Sequence, residues 1–219
     1  MQAESCMNDR KATEYASKIA TMKRIINLTT AFTLALTILF GLWNRLHPSG
    51  AILSLTITFG TISYHFMIRL LIGLCFNLTM RNRADYHAAW FQLRSWERPL
   101  YDRLKVKRWK KRMPTYQPEL FDPRLHTWDE IAQAMCQAEL VHETIIPASF
   151  LPLFASVWFG AFWVFLITSV FAALLDLVFV IMQRFNRPAV VRIAEREKRR
   201  KEAGQQSAIS QDESFFQNK

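Results

Sequence analysis

Residues Ile145 to Met182 read IIPASFLPLFASVWFGAFWVFLITSVFAALLDLVFVIM, 38 positions in which Asp176 is the only formal charge. One helix of that length would reach ~57 Å at 1.5 Å per residue, whereas the hydrocarbon of a bilayer is roughly 30 Å thick. The stretch is therefore expected to fold back as a hairpin of two shorter helices. The turn falls between Trp158 and Thr168, where Gly160 is the only breaker.

Moving outward, two more apolar stretches lie upstream, Ile25 to Leu42 and Ala51 to Leu78, each long enough for one crossing. Between them Asn44 to Gly50, with its Pro48-Ser49-Gly50 run, reads as a compact external turn. The second stretch carries His65 and Arg69 four residues apart on one helical face, and ionisable groups inside a span are costly enough to suggest function. Asp176 is the natural intramembrane partner for Arg69 or for Arg184.

Hydrophobic content of 51% over 219 residues would also suit an ordinary soluble domain, so the arrangement of charge decides the class. Of the 28 Lys and Arg, five precede Ile25, twelve fall between Arg81 and Arg124, and nine follow Met182. Arg45 and Arg69 are the remaining two. Because loops rich in Lys and Arg stay on the cytoplasmic side, both termini and the large central loop are expected there. Two excursions that start and end on the same side give an even number of crossings each. The expected fold is thus an all-α membrane protein with four transmembrane helices, multi-pass in the plasma membrane.

The expected organisation is a polar lead over 1–24, a transmembrane hairpin over 25–80, and a basic, aromatic-rich cytoplasmic loop over 81–144. A second hairpin over 145–182, a basic helix over 183–203 and a disordered tail over 204–219 follow. Within the loop, Tyr86, Trp90, Phe91, Trp96, Tyr101, Trp109, Tyr116, Phe121 and Trp128 are interspersed with Lys and Arg. That mixture suits segments lying at the headgroup interface. From Trp128 to Glu143 a helical pattern resumes, with Thr127 at the N-cap and Glu130 at the capping-box position. The formal net charge of +10 is read as attraction to anionic membrane lipids. No nucleic-acid-binding motif accompanies it. Cys6, Cys75 and Cys136 are odd in number and imply no disulfide framework. The polar Met1 to Arg24 segment does not read as a cleavable signal peptide.

Glu139 and His142 stand at i and i+3, sharing one face of the helix that leads into the second hairpin. An imidazole oriented by a carboxylate can take the proton of an attacking hydroxyl and return it to the leaving group. The same spacing fits a surface ion pair, and Glu143 offers His142 a second carboxylate. Glu-x-x-His is also the ligand spacing of di-iron bundles, but those repeat the pair on a second helix and this chain does not, so no metal is expected.

Several pieces occur in a fixed order: Trp96-Glu97, Tyr101, Leu104, Lys107-Arg108-Trp109-Lys110, Pro114, Phe121, Glu139-Leu140-Val141-His142 and Gln183-Arg184-Phe185-Asn186-Arg187. Together they resemble the bacterial glycosyl-4,4'-diaponeurosporenoate acyltransferase family, membrane enzymes that place the final acyl chain on glycosylated carotenoids. The sequence departs from the family pattern at Ala134, Gln137 and Glu143. The resemblance implies fatty acyl transfer, from acyl-CoA as co-substrate, to a hydroxyl of a glycosylated carotenoid or another lipid-like acceptor, with no bound cofactor. It marks His142 as general base and Glu139 as its orienting carboxylate. It further marks Trp109, Lys110, Gln183, Arg184, Asn186 and Arg187 as substrate-binding, with Pro114 a further candidate for the same site. Among these, Lys110, Arg184 and Arg187 would hold donor phosphates and Asn186 would donate to the oxyanion. The alternative is a non-catalytic membrane subunit whose basic-aromatic loop binds lipid headgroups or a partner enzyme; a transporter ranks third. A membrane-protein partner or a second copy of the chain is a further expected associate.

Overall fold

The computed structural model describes residues 2–110, 113 and 118–217, with side chains from residue 24 to residue 206 outside the 111–118 segment apart from Met113. Among these the secondary structure is helical without strands. Helices α1 (Gln2–Leu46) and α2 (Gly50–Met80) form a hairpin. Short helices α3 (Glu97–Arg103) and α4 (Val106–Trp109) occupy the central segment. Helix α5 (Trp128–Ala148) leads through a 3-10 turn, Leu151–Ala155, into α6 (Ser156–Phe159), and α7 (Phe162–Gln217) returns. Among the described residues, four helical stretches are long and apolar enough to cross a membrane: Arg24–Leu46, Gly50–Met80, Trp128–Phe159 and Phe162–Gln206.

Many hydroxyl side chains in these stretches bond to their own helix, although Ser169, fully buried, has no hydrogen-bond partner among the described residues. Thr30, Thr37, Thr56, Thr61 and Ser149 each donate to the carbonyl four residues earlier, at 2.8–2.9 Å. That satisfies a polar group with no water at hand, which is the condition for placing it in hydrocarbon. Large apolar side chains point outward along the same helices, among them Phe32, Leu71, Val157, Trp158, Trp163 and Phe171. An apolar belt of that extent is what lipid, not water, would cover.

In the α1–α2 hairpin, Phe40 stacks on Phe59 at 5.6 Å. A Cβ added at Gly60 would meet Thr37 Cγ2 at 3.4 Å, so the two helices approach closely there. Helix α5 lies along α7, and α2 packs against both, which joins the two hairpins.

The hairpin turn falls at Gly160, inside the expected interval. Its φ of 76° is a conformation that a side chain resists. Gly160→Val is expected to lower the thermal midpoint of the purified protein by the equivalent of ~1–2 kcal/mol. An unchanged midpoint would remove the strain assigned to this turn.

Four expectations change. Helix α5 runs unbroken from Trp128 to Ala148, so the helix read as part of the central loop and the start of the second hairpin are one element. Helix α7 likewise continues through Pro188, with no break at Gln183–Arg187. It carries on to Gln217 where a disordered tail was expected from Gly204; the Gln, Ala and Glu of that stretch are good helix formers. The central segment also does more than lie at an interface. Ala84 and Phe91 pack with Cys136 of α5, and Glu97, Tyr101 and Val106 are buried. The capping box of α5 is formed as read: the Thr127 hydroxyl accepts from Glu130 N at 3.3 Å and Glu130 Oε2 accepts from Thr127 N at 2.8 Å.

Candidate functional site

Helix α7 carries Asp176, Gln183, Arg184 and Arg187 toward α5, and the central segment closes over them. Arg184 and Arg187, three apart, share one face. Arg184 forks onto Glu97 of α3, with Nε donating to Oε2 at 2.9 Å and Nη2 to Oε1 at 2.7 Å. Its Nη1 donates to Glu139 Oε1 at 2.7 Å. Arg187 donates to the other Glu139 oxygen and to the carbonyl of Phe91. Glu139 is 0% exposed, Glu97 2% and Arg187 2%. Two guanidinium groups thus meet two carboxylates inside the protein, a neutral set whose members all have partners.

Tyr101 completes the set, donating to Glu97 Oε2 at 2.6 Å. Burial raises the Glu97 carboxyl, but hydrogen bonds from Arg184, from Tyr101 and from the backbone N–H of Arg94 outweigh it and hold it at about 2. A depressed carboxyl contributes stability that is fully present above its ordinary value of 4.5 and is lost as pH falls through about 2. Acid unfolding followed by tryptophan fluorescence is expected to show a component in that window that Glu97→Gln removes. An identical acid profile in the variant would contradict this assignment.

A second cluster sits on the other side of Glu139, one helical turn along α5. His142 Nδ1 lies 2.8 Å from Asp176 Oδ1. Asp176, 1% exposed, uses its second oxygen for Arg69 of α2. Arg69 also donates to the carbonyl of His65 at 2.7 Å and of Ala172 at 3.1 Å. The His142 ring stacks on Phe179 with centroids 4.7 Å apart and planes 12° from parallel. With Nδ1 donating to the carboxylate, Nε2 becomes the basic nitrogen of the ring. The His142 side chain is 23% exposed, so one edge of it is reachable from outside.

The geometry corrects the expected pairing. Glu139 does not orient His142: both of its oxygens are committed to Arg184 and Arg187, and the carboxylate at His142 is Asp176. Sharing a helical face made Glu139 available to His142, but two guanidinium groups from α7 compete for it and hold it. Arg184 and Arg187, expected to hold donor phosphates, are in this structure paired with Glu97 and Glu139. Lys110 Nζ donates to Asn186 Oδ1 and lies 4.6 Å from the centroid of the Phe185 ring. Lys110 and Asn186 are therefore together, at a half-buried position. Trp109 Nε1 donates to the carbonyl of Leu104 at 3.1 Å and braces its own short helix. Gln183 is buried on α7. Pro114 lies outside the described residues.

Two departures from the family pattern have structural uses. Gln137 Oε1 accepts from the backbone N–H of Asn82 at 2.7 Å and ties the exit of α2 to α5. Glu143 accepts from Trp90 Nε1 at 2.9 Å. Sequence reasoning assigned no site role to Glu97, Tyr101 or Phe179, and it paired Asp176 with an arginine only. The signal for Asp176 was available: it is the single charge in 38 apolar positions.

A comparison with protein-family models matches residues 87–196 to a family described as glycosyl-4,4'-diaponeurosporenoate acyltransferase. No curated protein and no solved structure matches the chain. The matched stretch holds both clusters except for Arg69 and His65.

Proposed function

Because the chain belongs to the glycosyl-4,4'-diaponeurosporenoate acyltransferase family, we propose that it transfers a fatty acyl group from acyl-CoA to a hydroxyl of a glycosylated carotenoid or a similar lipid-like acceptor, working as an integral protein of the plasma membrane. The observation that carries the reading is the His142 Nδ1 to Asp176 Oδ1 contact of 2.8 Å, a buried carboxylate fixing the tautomer of a reachable imidazole.

In this reaction His142 Nε2 takes the proton of the acceptor hydroxyl while its oxygen attacks the thioester carbonyl. A C–O bond forms and the carbonyl electrons move to oxygen. On collapse the C–S bond breaks, and the imidazolium returns its proton to the departing thiolate, giving ester and free thiol. Asp176 keeps Nδ1 protonated and stabilises the imidazolium; it does not itself take the proton. Lys110 and Asn186 are the polar side chains we assign to donor phosphate and to the developing oxyanion. Arg184 and Arg187 serve this site by clamping α3, α5 and the Trp90–Gln92 backbone to α7. No cofactor is required.

The concentration of Lys and Arg on the central segment and beyond Met182 supports an orientation with both termini and the acyl donor on the cytoplasmic side. Anionic lipids are the expected neighbours of those segments, and a second copy of the chain or another membrane protein is a compatible partner. The non-catalytic reading draws on the internal neutralisation of Arg184 and Arg187, which suits a structural subunit. His142→Ala separates the two. In cells that accumulate the variant at the normal level, acylated glycolipid is expected to vanish from lipid extracts. Unchanged acylated lipid would leave the subunit reading standing and remove the catalytic one.

A further inference from the structure

Arg69 belongs to the N-terminal hairpin, outside the residues that match the family, yet it ends on the carboxylate that orients His142. We infer that Arg69 is a positioning residue of the acyl-transfer site, holding Asp176 in the orientation that His142 requires. The inference rests on the acyltransferase reading and extends the site to the first hairpin.

The geometry is that of a three-helix relay. Arg69 reaches from α2 to Asp176 on α7, and Asp176 reaches to His142 on α5. The guanidinium is itself located by two backbone carbonyls, His65 on its own helix and Ala172 one turn before Asp176. It therefore cannot swing away from the carboxylate without abandoning both. Tyr64, next along α2, donates to the carbonyl of Ala148 at 2.7 Å and ties α2 to the end of α5. The register between α2 and the α5–α7 pair is thus fixed from both sides of Arg69.

Asp176, 1% exposed, has one oxygen on Arg69 and the other on His142 Nδ1. The guanidinium therefore fixes the rotamer that aims Oδ1 at the ring, and with it the tautomer of the imidazole. The charged and titratable groups that face Asp176 are Arg69 and His65 from α2 and His142 from α5. Both ring nitrogens of His65 are buried without a hydrogen-bond partner, so it supplies no competing contact to the carboxylate. One turn further along α5, Glu139 is occupied by Arg184 and Arg187. Arg69 is the cation that the relay uses.

The test is kcat and KM, determined separately, for acyl transfer by full-length protein in proteoliposomes, with the wild type, Arg69→Lys, Arg69→Gln and Arg69→Met. Without the guanidinium, Asp176 no longer fixes the His142 ring, so Arg69→Gln is expected to lower kcat by about tenfold at an unchanged KM. Arg69→Lys keeps the charge and is expected to recover most of the lost kcat. Arg69→Met, of similar length and apolar, replaces Arg69→Gln if the latter does not accumulate, and carries the same expected loss. A merely structural role would lower the amount of folded protein in a tryptophan-fluorescence melt and leave kcat per folded protein at the wild-type value, and that result overturns the inference. If wild-type protein transfers acyl groups and Asp176→Asn loses activity while both neutral Arg69 variants keep the wild-type kcat, only the role of Arg69 falls. If wild-type protein transfers none, the acyltransferase reading falls and this inference with it.

Discussion

Asp176→Asn is expected to lower kcat for acyl transfer by about 10³–10⁴-fold while leaving the protein folded and in the membrane fraction. The asparagine amide has nearly the shape of the carboxylate, so packing among α2, α5 and α7 changes little. What changes is the hydrogen bond to His142: an amide can present N–H toward Nδ1 and favour the tautomer in which Nε2 carries the proton. Nε2 could not then accept a proton from the acceptor hydroxyl. The variant also leaves Arg69 without its counter-charge, but that guanidinium is 23% exposed, so the cost in stability is smaller than stranding a fully buried cation. Steady-state kinetics in proteoliposomes read the effect, with a tryptophan-fluorescence melt as the control for folding. A variant that retains more than a tenth of wild-type kcat would mean that the 2.8 Å contact is structural rather than catalytic.

Glu139→Ala is expected to be the most destabilising single substitution at the site. Glu139 is fully buried and accepts from both Arg184 and Arg187. Removing it leaves a guanidinium that is 2% exposed without its carboxylate, and breaking one side of a buried pair costs about 3–5 kcal/mol. Replacing both partners by apolar residues of similar size removes the stranded charge as well. The double variant Glu139→Leu/Arg187→Leu is therefore expected to recover most of the loss, because an apolar pair in place of a buried ion pair is often neutral or stabilising. Denaturant or thermal melts of wild type, the two single variants and the double variant form the cycle. Additive destabilisation across the cycle would show that the contact between these two side chains contributes little. The expected separation from Asp176→Asn is sharp: Glu139→Ala acts on folding, Asp176→Asn on turnover.

These two expectations rest on assigning each carboxylate to its partner, and that is where sequence and structure part. Long-range composition was readable. A 38-residue apolar stretch too long for one crossing implied the hairpin and an interval, Trp158 to Thr168, for its turn; the turn at Gly160 falls inside it. Thr127 and Glu130 gave the capping box because its parts are three residues apart and need nothing from the rest of the chain. Arg69 was one of two arginines that the sequence offered Asp176, Arg184 being the other, and only the packing of α2 on α7 selects it.

The continuity of α5 and α7 was not readable. A shift from apolar to charged composition at Met182 marks a change of surroundings, which a helix can cross without breaking, and Pro188 is accommodated inside it. The partner of His142 was also hidden. Helical spacing shows that Glu139 and His142 share a face, but their pairing depends on Arg184, Arg187 and Asp176, which lie 34 to 48 positions away. Only the packing of α5 on α7 decides it. Glu97 lay within a recognised piece of sequence, yet its role needs α3 folded over Arg184 at a separation of 87 residues.

The central claim is that His142, oriented by Asp176, performs acyl transfer. Its most direct test is the transfer of a labelled acyl group from acyl-CoA to a glycosylated lipid acceptor by purified protein in proteoliposomes, wild type against His142→Ala. The account predicts labelled ester with the wild type and a loss of about 10²–10⁴-fold with the variant, at equal amounts of reconstituted protein. Equal ester formation by the two proteins would contradict it.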